Sequence, residues 1–299
     1  MKYGRKPAHD PATHPRLRLG PALRWDTMPV IPATIDELSA VPDWPMYLND
    51  QIGDCTIAAA GHMLEAWARY GHGQAVKVTD ADVLKAYEAV SGYVPGNPST
   101  DQGAVMQDVL DYWRKTGIGG HRILAFAEVD VHNPSQVAAA LYLFGHVYVG
   151  LSVPASAEDQ FNAGQPWDVV SDDGGILGGH AVDLGARPLE VVTWGSRQAM
   201  TEAFWDRYVE EAWVVADQDW ITATGGSPPG LDVAALNAQY TALTGKPGPF
   251  PPTPTPVPGD PDHAFAAVLR ADGWLTHHHV GHNAAVAHAA SHWLAQKGL

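Results

Sequence analysis

At 299 residues, 45% of them hydrophobic, the chain is long enough for one large or two modest domains, each with a core of its own. A formal net charge of −15 repels nucleic acid and anionic membrane surfaces; no apolar run approaches the roughly 20 residues of a transmembrane helix, and MKYGRKPAHD lacks a secretory apolar stretch. One cysteine, Cys55, excludes an intramolecular disulfide and a Cys-rich zinc site, which leaves it a small buried hydrophobe or a reactive thiol.

Residues 1–44 are punctuated by proline and keep no period of 3.6 or 2, so they read as an extended arm. Lys2, Arg5, Lys6, Arg16, Arg18 and Arg24 face a single acid, Asp10, across the first part of it. Such an arm is solvated, wraps its own domain or a neighbour, or docks on an acidic partner.

From 45 to 245 the pattern is that of a folded domain. A helix begins at Thr56 with Ile57, Ala60, Leu64, Trp67 and Ala68 on one apolar stripe, while His62, Glu65 and Arg69 face elsewhere. TDADVLKAYEAVSG gives a second helix capped by Thr79 or Asp80, and DQGAVMQDVLDYWRKTGI a third, with Val105, Val109, Leu110 and Trp113 at helical spacing. HRILAFAEVD then reads as a strand, NPSQVAAALYLFG as a helix opened by Asn133 and Pro134, and HVYVGLSVP as an alternating strand. Strands at GHAVDLGAR, LEVVTWG and EEAWVVAD follow, with a short helix TEAFWDRYV before the last and a final helix LDVAALNAQYTALTG. Helices first and strands afterwards predict an α+β fold rather than repeated βαβ units.

Residues 246–262 hold eight prolines in 17 positions, the composition of an extended linker. Residues 263–299 suggest two short helices, a module too small to stand alone. Within it THHHVGH, residues 276–282, has imidazoles but no accompanying carboxylate or thiol, so it reads as a solvated loop and no metal is expected. The glycines of DDGGILGG lack the Lys-Ser/Thr ending of a phosphate loop and suit a flexible approach to His180.

Cys55 sits where a helix begins, and a helix N-terminus favours the thiolate that attacks a carbonyl. Acyl transfer also needs a base and an oxyanion donor. Gln51, four residues earlier, can offer a side-chain N–H beside the backbone N–H of Cys55, and His180 in GGHAVDLG follows two glycines at the start of a strand.

The order of Gln and Cys at a helix start, then GGHAV, then a strand ending in Trp-Gly resembles the papain-like cysteine peptidases over about residues 45–220. The resemblance implies an N-terminal helical lobe carrying the cysteine and a C-terminal antiparallel β lobe carrying the histidine. It implies Cys55 as nucleophile, His180 as general base, Gln51 as oxyanion donor, Trp194 as a shield over the histidine, a peptide or protein substrate and no cofactor. The chain departs from the pattern in three places. Val192-Thr193-Trp194-Gly195 stands where the family has Asn-Ser-Trp-Gly, Gln51 is four rather than six residues from the cysteine, and Ser-Cys-Trp has become Asp54-Cys55-Thr56. Thr193 replaces the missing acceptor if the strand slips by one residue. Asp183 points to the other face of the strand from His180, and Asp172 or Asp173 is a remaining acid.

A second reading keeps the scaffold and drops the chemistry: a binding or assembly protein that engages partners through the arm or the C-terminal module. The layout is similar to bacteriophage proteins, which implies a cytoplasmic or virion-associated protein. A cell-wall amidase is the third reading, against which the long separation of Cys55 and His180 counts.

Overall fold

A computed structural model describes residues 1–72, 78–217 and 228–250 of the protein, with side chains of 69–72 left aside. The proline-rich linker beyond 250, the module at 263–299, the histidine stretch at 276–282 and the Arg69 side chain expected to pair with Glu65 lie outside the described residues. Among the described residues no helix is long and apolar enough to cross a membrane.

The chain folds as two units. The first joins Met1–Leu19 to Pro32–Ala216; Gly20–Ile31 groups with the described residues that follow Ala216. The second unit contains helix α7 (Val233–Thr244), capped by Asp232 and closed by Gly245 in the left-handed conformation, and Leu23 bridges to Leu231 within it.

The first unit opens with helices and closes with a sheet. Helix α1 (Cys55–His72) is followed by α2 (Asp80–Ser91) and α3 (Met106–Lys115). Thr79 caps α2 in a reciprocal capping box with Asp82, which satisfies two end donors at once. Val109, Leu110 and Trp113 of α3 are fully buried, and Ile57, Met63, Val83, Tyr87 and Trp113 belong to one core with Tyr148 and Trp213 from the sheet. Burying a side chain such as Trp113 is worth on the order of 3 kcal/mol. His62, expected on the wet face of α1, is instead buried: its Nε2 lies 2.8 Å from the Pro45 carbonyl oxygen, and its ring is edge-on to Trp44.

The sheet has seven strands. In chain order they are β1 (Ile35–Asp36), β2 (Ile123–Val129), β3 (Val147–Pro154), β4 (Ile176–Arg187), β5 (Glu190–Thr193), β6 (Ser196–Ala199) and β7 (Val209–Asp217). Their spatial order is β2-β7-β3-β4-β5-β6, with β1 added to β4. The pairings of β3 with β4 and β7, and of β5 with β4 and β6, are antiparallel. Helix α4 (Pro134–Phe144), capped by Asn133, precedes β3; α5 (Ala155–Asn162) follows it; and α6 (Glu202–Tyr208), capped by Thr201, leads into β7. The α+β expectation holds.

Of the forms its sequence allows, the start of the N-terminal segment takes that of an arm wrapping its own unit. Far from being solvated, Arg5 and Arg16 are buried, and Arg5 pairs with Glu210 and Glu211 while Arg16 pairs with Glu128. The acidic surface that the basic arm docks on belongs to its own unit. Residues 35–36 form β1, antiparallel to the end of β4.

Candidate active site

Cys55 is the first residue of α1, set up by a tight turn. Tyr47 and Leu48 both take positive φ, 52° and 68°, which costs non-glycine residues about 1–2 kcal/mol each. Backbone bonds from the Gln51 and Ile52 amides to the Leu48 carbonyl, and a side-chain bond from Tyr47 Oη to Glu65 Oε1 at 2.6 Å, hold the turn in that form. Below it Asp101 accepts from the Gly53 amide and from Tyr87 Oη, which in turn accepts from the Gly103 amide. One carboxylate thus ties the approach to Cys55 to the loop that carries Ala104.

Cys55 is 1% exposed, and the backbone amides of Ala181 and Gly4 lie beside its thiol. Burial pushes the Cys55 thiol up to about 12, against these donors and against the helix terminus expected to lower it. The adjacent Asp54 is buried too and accepts from Asn49 Nδ2 at 3.1 Å; burial raises its carboxyl well above the usual range.

His180 lies on β4 opposite Leu151 of β3, one strand residue before the Ala181 amide that touches the sulfur. Its Nε2 is 2.7 Å from Thr193 Oγ1, while its buried Nδ1 has no partner among the described groups. Burial, then the nearby Arg5 and His62, lower its pKa to about 3. Trp194 stacks on the imidazole at 4.7 Å and 26°, and Tyr3 meets both rings edge-on at 6.0 Å.

Thr193 and Trp194 reach the histidine because β5 and β6 join in a two-residue hairpin. Thr193 pairs with Ser196, and Trp194 and Gly195 have φ of 46° and 73°, as a turn matched to the sheet's twist demands. Val192, beside Asp183 in the register, packs with Leu38 and Ala186. The strand therefore offers its hydroxyl, one position later, to the ring. Asp183 serves another imidazole: its carboxylate lies 2.9 and 3.1 Å from Nδ1 of fully buried His146. Burial opposes charge on His146, and Asp183 outweighs it and raises that pKa. Asp173 accepts from Tyr208 Oη and Asp172 from the Gly174 amide, and neither bonds the imidazole's free nitrogen.

Gln51 is exposed in the turn and does not line the pocket around the sulfur. Asn49 does, together with Cys55, His180 and Thr193. It is buried, and its Nδ2 donates to Ile52 O at 3.3 Å and to Asp54 Oδ1. The sequence carries a signal for it, since Asn49 stands six residues before Cys55, but its side chain is an asparagine and a glutamine lies two positions away.

The pocket holds no space for a water-sized molecule, and the arm is what fills the approach. The Lys2 amide donates to Asn49 O, Arg5 to Gly179 O and Lys6 to Ala104 O, while the Ala104 amide donates to Gly4 O. This is strand addition: a chain segment pairs its main chain with the walls of a groove. A Cβ on Gly4 would fall 1.7 Å from Gly53 O and one on Gly103 2.0 Å from Gly4 O, so the segment fits only because both are glycine. No group of three His, Cys, Asp or Glu residues among the described ones is arranged to hold a metal.

The buried imidazole carries a test. Below about pH 6.5 the unfolded chain binds a proton that folded His180 refuses down to about pH 3, so its contribution to stability is lost as pH falls through that window. Urea midpoints of the wild type should drop more steeply between pH 7 and pH 4 than those of His180→Asn; parallel curves would show that the imidazole titrates normally.

No family model and no curated protein matches the chain. Solved structures do match. It is similar to xylellain, a cysteine protease from Xylella fastidiosa, at 14% identity and a TM-score of 0.56, over 72% of this chain and 96% of that one. It is also similar to procathepsin B S9 from Trypanosoma congolense, at 13% identity and 0.51 over 72% and 86%. The ragweed pollen allergen Amb a 11, a cysteine protease in its proform, matches at 15% and 0.50 over 70% and 72%. The fold is that of papain-like cysteine proteases, a helical lobe with an antiparallel sheet lobe.

Proposed function

We propose that the protein is a thiol peptidase or related amide hydrolase whose site is closed by its own first six residues. The observation that carries the reading is the convergence of Cys55, His180 and Thr193 on one pocket beneath Trp194, in a fold shared with cysteine proteases. With Nε2–H donating to Thr193 Oγ1, the free Nδ1 takes the thiol proton and the thiolate adds to the substrate carbonyl carbon. The oxyanion receives the backbone N–H of Cys55 and a side-chain amide. The imidazolium then gives its proton to the leaving amine as the C–N bond breaks, and water, deprotonated by the same nitrogen, hydrolyses the thioester. A peptide or protein is the substrate, and no step needs a cofactor.

Asn49 is the better oxyanion donor of the two amides, because it is buried in the pocket and its 3.3 Å bond to Ile52 O is the weaker of its two. Losing such a donor costs about 10²-fold in kcat. In a chain opened by Gly4→Leu, Asn49→Ala should show that loss on a fluorogenic peptide pool while Gln51→Ala stays within a factor of about two; the reverse ranking returns the role to Gln51.

Full burial of a neutral Cys55 favours a second reading, an inactive scaffold that binds a partner, as a virion-associated protein would. Incubation of the chain opened by Gly4→Leu, whose new side chain collides with Gly53, with denatured protein mixtures separates the two. New peptide termini that vanish in Cys55→Ala support the hydrolase, and identical digests from both proteins sink it.

A further inference from the structure

The arm does more than cover the sulfur. Immediately after Gly4, whose amide meets Cys55, the Arg5 side chain runs into a pocket in the sheet lobe. Its Nη1 donates to Glu211 Oε1 at 2.8 Å and its Nη2 to Glu210 Oε2. Glu211 is buried, and its second oxygen accepts from Trp213 Nε1 at 3.0 Å, whereas Glu210 is half exposed at the mouth and accepts from Ser152 Oγ. Gly150 makes the room: a Cβ there would lie 2.7 Å from both Arg5 Cδ and Glu211 Cγ.

We propose, resting on the hydrolase reading above, that this pocket is the substrate-selecting pocket and takes a guanidinium side chain next to the bond that is cut, Arg5 being its occupant while the arm is closed. A buried carboxylate is costly without a counter-charge. When the arm leaves, Glu211 keeps only an indole donor, so the empty pocket demands a cation from whatever replaces the arm. Glu210 and Glu211 present two carboxylates to the two terminal nitrogens, a geometry that suits the planar fork of arginine better than the point charge of lysine. The Arg5 Nε is buried without an acceptor, so the arm's own arginine leaves one donor unpaired and is displaceable by a better-seated one. The rest of the path is main chain: the Gly179 carbonyl and both polar groups of Ala104, which bind the arm, bind any peptide without regard to sequence.

The test uses the full chain carrying Arg5→Ala, which empties the pocket, and measures binding of N-acetyl-arginine amide against N-acetyl-norleucine amide by calorimetry. The arginine amide should bind at least tenfold tighter, and Glu211→Gln in the same background should remove that preference. Glu210→Gln, at the mouth, serves as the milder variant should the buried change disturb folding, and should reduce it. Equal binding of the two amides, no binding of either, or a preference untouched by both glutamine variants overturns the proposal. Cleavage of a peptide pool by Arg5→Ala is scored separately. Saturable arginine binding without cleavage retires the hydrolase and keeps the pocket; cleavage without any enrichment of arginine beside the cut bond does the opposite.

Discussion

Gly4→Leu is expected to raise the rate of Cys55 alkylation at pH 7 by about three-thousandfold. In the closed form the thiol stands at about 12, so roughly one molecule in 10⁵ holds a thiolate at pH 7. Any side chain at residue 4 collides with Gly53, whose carbonyl oxygen would lie 1.7 Å from the new Cβ, so the segment must lift. A solvated thiol returns to about 8.5 or below, with the terminus of α1 favouring the charged form, and the thiolate fraction climbs to about one in thirty. Mass spectrometry of iodoacetamide adducts over time on the full-length chain reads this directly. The wild-type rate should keep rising with pH past about 10, while the variant levels off near about 9. Should both alkylate at one slow rate, the arm is not what protects the sulfur.

On the same opened background, His180→Ala should cut kcat by about 10³-fold or more, and Thr193→Val by about 10- to 100-fold. The two losses differ because they remove different things. Without His180 no group takes the thiol proton. Without the Thr193 hydroxyl, Nε2 loses the oxygen 2.7 Å away and the ring is free to carry its proton on Nδ1, the nitrogen that must be bare. Valine matches threonine in shape, so Trp194 and the hairpin should stay in place. Thr193→Ser, which restores the oxygen, should recover most of the rate. If valine and serine behave alike, Thr193 does not orient the ring.

The helices and most strands were readable in the chain because their signals are local: Thr79 and Asn133 as caps, 3.6-residue spacing in α3, alternation in β3. That Cys55 and His180 line one pocket was readable because glycines and a helix start flank them in a recognisable order. What was hidden depends on contacts distant in sequence. Arg5 looks like one charge of a solvated tail until Glu211, 206 residues later, is folded beside it. His62 looks solvent-facing by helical phase, but Pro45 and Trp44 close over it. The choice of Thr193 over Val192 turns on the register of the β5–β6 hairpin, which Trp194 in a left-handed conformation fixes and no propensity announces. The depressed acidity of Cys55 follows from an arm whose prolines gave no hint of strand-like pairing.

Gly61 sits in the middle of α1, where alanine would ordinarily strengthen the helix by about 1 kcal/mol. A methyl group there would stand 2.8 Å from the Tyr47 ring, the residue that anchors the left-handed turn leading to Asn49 and Cys55. Protein engineers who follow helix propensity along α1 would thus be steered toward a substitution that unseats the turn in front of Cys55. At this position a sturdier helix and a correctly seated turn pull apart.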